Sequence, residues 1–88
     1  MRIWKYTIEV ANHQELALHS EAKILAVQMQ GGECRLWALV DETKKDMATR
    51  RIAIYGTGHP IPDDPGNYIG TFQIMGGDLV FHAFERAA

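Results

Sequence analysis

The chain has one cysteine, one serine, and no proline outside the six residues Pro60 to Pro65. A lone thiol, Cys34, cannot close an internal disulfide, and no histidine stands near it in sequence to make a nucleophilic pair. Ser20 lacks the Gly-x-Ser-x-Gly surroundings of a hydrolase nucleophile. Both residues are therefore expected to be structural. No apolar run approaches the ~20 residues of a membrane-crossing helix. The start, Met-Arg-Ile-Trp-Lys-Tyr, also lacks the apolar stretch of a signal peptide, so a cytoplasmic protein without membrane contact is expected. Strong charge is missing too. A formal net charge of −2 gives neither the positive field of a nucleic-acid binder nor the acidic density of a DNA mimic.

At 88 residues the chain supports one domain, residues 1–88, with one modest core. Sustained 3.6-residue periodicity is absent. The best helical stretch is Thr43 to Ala48, a single turn at most. What recurs instead is alternation around two Gly-Gly pairs. Gly31-Gly32 separates Lys23–Gln30 from Glu33–Asp41, and such a pair adopts the positive φ angles of a two-residue hairpin turn. The implied register sets Met29 opposite Cys34, Val27 opposite Leu36 and Leu25 opposite Ala38, which sorts one face into apolar residues alone. Gln28 beside Arg35 and Ala26 beside Trp37 form a mixed reverse face.

Gly76-Gly77 repeats the pattern. Setting Met75 opposite Asp78 places Tyr68, Gly70, Phe72 and Ile74 against Leu79, Phe81 and Ala83, with Phe72 across from Phe81. Thr71 beside His82 and Ile69 beside Phe84 fall on the reverse. Ile3 to Val10 alternates as a first strand, Arg50 to Tyr55 is another, and Glu15 to His19 is a short edge strand. Two hairpins that each bury one face need a second layer, so the expected fold is all-β: a small antiparallel sandwich or barrel of about six to seven strands.

All three prolines and four of the eight glycines lie between Tyr55 and Phe72. Gly56-Thr-Gly-His-Pro-Ile61 starts like a dinucleotide fingerprint but has Ile61 in place of the third glycine, and Pro62 and Pro65 forbid the helix that would follow. No phosphate-cradling Gly-x-x-x-x-Gly-Lys motif is present. One reading makes the loop a shaped connection. The other makes it a binding surface in which the backbone of Gly56 and Gly58, the Thr57 hydroxyl and the His59 imidazole receive an anion or a peptide carbonyl, with Tyr55 alongside.

Other chemistry is thin. Asp63-Asp64 between prolines are turn residues rather than an acid-base pair. His13, His19, His59 and His82 lack the spacing of a metal site, and no cofactor is expected. Lys44, Lys45, Arg50 and Arg51 with Trp37 and Tyr55 would be a stacking surface for single strands, but Glu42 and Asp46 interrupt them, and nucleic acid is not the expected partner. Trp37 and its apolar neighbours on the mixed face form a second candidate surface.

The set Trp37-Ala-Leu-Val-Asp41, Ile54-Tyr-Gly-Thr-Gly-His59, Tyr68-Ile-Gly-Thr-Phe-Gln73 and Leu79-Val-Phe-His-Ala-Phe-Glu85 resembles a group of small uncharacterised phage and prophage proteins. The match spans most of the chain. That resemblance implies no catalytic residues; it implies genomic company in which small domains act by binding. The expected function is therefore a non-enzymatic phage accessory protein that binds or inhibits a host defence component. Alternatives are a small-molecule or nucleotide binder using Gly56 to Asn67, or a virion structural or decoration protein that assembles as a homo-oligomer.

Overall fold

The computed structural model describes residues 1–87. It contains seven strands: β1 (Arg2–Ile8), β2 (Gln14–His19), β3 (Lys23–Gln30), β4 (Glu33–Val40), β5 (Met47–Gly56), β6 (Asn67–Ile74) and β7 (Leu79–Arg86). They form two antiparallel sheets, ordered β1-β4-β3 and β2-β5-β7-β6, packed as a sandwich. Among the described residues no helix is long and apolar enough to cross a membrane.

The first hairpin has the expected turn. Gly31 and Gly32 adopt φ of 59° and 80°, the left-handed pair that a tight turn between twisted strands requires. Pairing runs Gln30 with Glu33, Met29 with Cys34, Gln28 with Arg35 and Val27 with Leu36. The register then shifts: Ala26 lies opposite Trp37, but Ile24, not Leu25, lies opposite Ala38. Leu25 is the extra residue of a β-bulge. One inserted residue reverses the side-chain parity beyond it, so Leu25 is left partly exposed and Ile24 packs on the core.

A second bulge corrects the other hairpin in the same way. Phe72 opposes Phe81, Thr71 opposes His82 and Gly70 opposes Ala83, but Tyr68, not Ile69, opposes Phe84. Ile69 turns inward onto the core, while Tyr68, expected there, lies on the outer face and is 60% exposed. The turn spans Met75 to Asp78, closed by the Asp78 amide donating to the Met75 carbonyl at 3.2 Å.

Two other expectations also change. Thr43 to Ala48 is not helical, because the Asp41 carboxylate accepts the Thr43 amide at 3.0 Å and its hydroxyl at 2.6 Å, making a local turn. The same bonds hold the Asp41 carboxyl below its ordinary range. Strand β5 then begins at Met47, ahead of the expected Arg50. Strand β1 stops at Ile8, leaving Val10 outside it and exposed.

The core lies between the sheets. Leu18, Leu36, Val40 and Ile52 have no exposed surface, and Val27 and Ile54 have almost none. Edge strands β3 and β6 approach so closely that a Cβ on Gly70 would sit 3.2 Å from Val27 Cγ1 and 3.6 Å from the Val27 carbonyl oxygen. Across the molecule, Trp4 and His19 join β1 to β2 edge to face, with centroids 5.4 Å apart.

Arg50 shares the inward parity of Ile52 and Ile54. Its guanidinium is paired at the margin of the core, with each nitrogen donating: Nε and Nη2 to the two Glu85 carboxylate oxygens, the latter at 2.9 Å, and Nη1 to the Ala22 carbonyl at 2.7 Å. Both side chains are about four-fifths buried, and the bidentate pairing offsets the cost of burying the two charges.

Cys34 lies on the buried face of β4 as expected, and burial pushes its thiol from 9.0 up to about 11. The folded chain holds this proton more tightly than the unfolded chain. Its contribution to stability is therefore complete below pH 9.0 and fades as pH rises toward about 11. Alkylation by iodoacetamide at about pH 8 should be at least ~10-fold slower in the native protein than in denaturant. Equal rates would place the thiol at the surface.

Candidate functional site

Strand β5 delivers Tyr55 and Gly56 to one end of the four-stranded sheet, where the chain leaves the ladder. The Thr57 amide makes a last sheet-like bond to the Val80 carbonyl at 3.0 Å, and the His59 amide closes a turn onto the Gly56 carbonyl at 3.1 Å. Gly58 takes φ of 87° within that turn. Gly56 has no such backbone requirement. The His59 ring lies over it, 3.1 Å from where a Cβ would stand, so a side chain there would displace the ring by a few tenths of an ångström.

The result is a recess of about 220 Å³ on the outer face of the sheet, lined by Tyr55, Gly56, Thr57, Gly58, His59, Ile61, Tyr68, His82 and Phe84. Its apolar part is aromatic. Phe84 stands between Tyr55 and Tyr68, with centroids 6.1 Å and 5.6 Å away, and Ile61 reaches in from the loop.

Its polar part is a continuous chain of hydrogen bonds. The Thr57 hydroxyl donates to the Val80 carbonyl at 3.3 Å, leaving its oxygen to accept from His82 Nε2 at 2.6 Å. His82 Nδ1 is hydrogen-bonded to the Thr71 hydroxyl at 2.9 Å, which is in turn bonded to the Tyr68 hydroxyl at 2.5 Å. The Thr57 bond to Val80 makes His82 Nε2 the donor at that end of the network. Both ring nitrogens are occupied within the protein, so His82 orients the wall. His59 differs: among the described residues its ring nitrogens have no side-chain or backbone partner, and the residue is exposed.

Five of the sequence-derived site residues, Tyr55, Gly56, Thr57, Gly58 and His59, therefore come together in one recess. Trp37 does not join them. It lies on the outer face of the three-stranded sheet, between Lys5 on β1 and Ala26 on β3. Phe84 lies on the outer face as expected, but its neighbour is Tyr68 rather than Ile69: sequence reasoning placed Tyr68 on the inner face, and the bulge at Ile69 is what turns it toward Phe84.

The basic residues are dispersed rather than gathered. Lys44 pairs with Glu21 at 2.8 Å and Arg50 with Glu85, while Trp37 and Tyr55 stand in different sheets. Asp63 and Asp64 lie in the exposed loop, where the Asp64 carbonyl accepts from Arg86 Nη2 at 3.4 Å. Among the described residues, no three His, Cys, Asp or Glu side chains converge as they would around a metal ion.

No curated protein and no solved structure matches the chain. One family profile does, over residues 1–88, and the chain accordingly belongs to the family described as a domain of unknown function, DUF7352.

Proposed function

We propose that this chain is a non-enzymatic binding protein whose outer-face recess receives a side chain of a partner protein. The recess itself carries this reading. Its volume of about 220 Å³ falls below the ~300–1,000 Å³ typical of sites that enclose a complete small molecule, and suits one apolar or aromatic side chain. Phe84 and the two tyrosines offer stacking surface, and the exposed His59 ring and the turn backbone offer polar contacts at the rim. The nucleotide-binding alternative would need a larger enclosure than this recess provides.

The motif resemblance to phage and prophage proteins supports a host protein as the partner, with inhibition of a host defence component as the outcome of binding. A cytoplasmic location suits that role.

The test compares wild-type protein with an Ile61→Asp/His59→Ala variant as bait in a lysate of the bacterial host, followed by native mass spectrometry. Ile61 is 47% exposed and His59 is exposed, so the variant should keep the wild-type melting curve within about ±0.5 kcal/mol. A host protein retained by the wild type and lost by the variant is the expected result. Equal retention would remove the recess from recognition. A copurifying metabolite would favour the small-molecule alternative, and a large homo-oligomer the virion alternative.

A further inference from the structure

The β5–β7 register places Arg51 directly opposite Arg86. Cross-strand neighbours have Cβ atoms about 4.5–5.5 Å apart, and like charges at that position oppose sheet formation. The usual remedy is an adjacent carboxylate. Among the described residues, however, neither guanidinium is within 4.0 Å of one: Glu85, one rung along opposite Ile52, is taken by Arg50. Their protein contacts are sparse. Arg51 donates once, to the Ala87 carbonyl at 3.4 Å, and Arg86 twice, to the Tyr55 hydroxyl at 3.2 Å and the Asp64 carbonyl at 3.4 Å. Each guanidinium carries five N–H donors, so most remain free.

Both side chains line a polar recess of about 620 Å³, together with Asp64, Gly66, Asn67, Ala87 and the paired Arg50 and Glu85. That volume lies within the ~300–1,000 Å³ range of small-ligand sites. The loop side is held close: a Cβ on Gly66 would collide with the Glu85 carbonyl oxygen at 2.2 Å, so the backbone there lies directly against β7.

We propose that Arg51 and Arg86 form an oxyanion site for a phosphate-bearing ligand. Two planar guanidinium forks with spare donors match the geometry of phosphate oxygens, and a phosphate group's charge of about −1.5 to −2 offsets a pair of arginines where one carboxylate offsets half of it. This site is separate from the aromatic recess and does not depend on a protein partner. The Arg86 contact with Tyr55 makes the two sites neighbours.

The test is a nitrogen-15 NMR titration of the full chain with sodium pyrophosphate at constant ionic strength, with malonate as a dicarboxylate arm. Saturable shifts confined to Gly66, Asn67, Glu85 and Arg86 are expected for pyrophosphate. Arg51→Gln should weaken binding by about tenfold or more, and Arg51→Lys should recover only part of it because the fork is lost. Lys45→Gln should have no effect. Spectral dispersion in the same experiment verifies that each variant is folded, and Arg86→Gln supplies an independent second variant. Non-saturable shifts, shifts spread over all basic residues, or binding unchanged in Arg51→Gln and Arg86→Gln would overturn the site. Malonate binding as tightly as pyrophosphate would overturn the assignment to phosphate.

Discussion

Replacing Leu36 by Asp should unfold the domain or come close to it. Leu36 has no exposed surface, sits at the centre of β4 and faces Val27 on one side and Tyr6 on the other. A carboxylate there would have no hydrogen-bonding partner in an apolar core, and leaving a charge uncompensated in such surroundings costs about 3–5 kcal/mol. The whole stability expected for 88 residues, at roughly 0.05–0.15 kcal/mol per residue, is only ~4–13 kcal/mol. Arg35→Asp is the control. Arg35 points to the other side of the same strand, pairing with Glu33 at 2.7 Å and donating to the Thr7 hydroxyl, so its replacement should cost about 1 kcal/mol. Urea denaturation followed by circular dichroism measures both. Equal losses would mean that the faces of β4 are wrongly assigned.

Gly66→Ala should be the most damaging small change in the loop. Gly66 takes φ of 100°, where an L side chain is strained, and the added methyl would lie 2.2 Å from the Glu85 carbonyl oxygen and 2.9 Å from its carbon. Strain of this kind alone costs about 1–3 kcal/mol. The collision is with backbone, so relief requires β6 to move away from β7, disturbing Glu85 and with it the Arg50 pair. Gly58→Ala isolates the strain from the collision. Gly58 has φ of 87° but nothing within 4 Å of its Cβ position, so it should cost about 1–2 kcal/mol. A melting temperature for Gly66→Ala at or above that of Gly58→Ala would contradict the close approach.

These two glycines also mark where sequence reasoning stops. The hairpins were legible because Gly31-Gly32 and Gly76-Gly77 fix both turn and parity locally, and the strands beside them alternate. The bulges at Leu25 and Ile69 were not. Both lie on β3 and β6, the edges where the two sheets approach each other, and nothing in a single strand's alternation signals a residue displaced by that approach. The Tyr55 to His59 segment stood out by composition and does line one recess. Tyr68, which completes it beside Phe84, depends on the bulge. Gly66 looked like one more loop glycine, since its restriction comes from Glu85, far along the chain. Arg50 did carry a signal: its inward parity with Ile52 and Ile54 called for a buried partner, though parity alone could not name Glu85.

The interlaced order of strands has a consequence for a chain emerging from the ribosome. Strands β1, β3 and β4 lie within the first 40 residues and make up one entire sheet, so that sheet can pair as soon as Val40 is released. Strand β2 is synthesised between β1 and β3 yet belongs to the other sheet, where it must wait for β5, and β6 and β7 follow later still. Until they arrive, Val27, Leu36, Ala38 and Val40 have no opposing layer. Nascent three-stranded intermediates of this kind expose sticky surface, so the stage after Val40 is where the growing chain is most vulnerable to aggregation and most suited to chaperone protection.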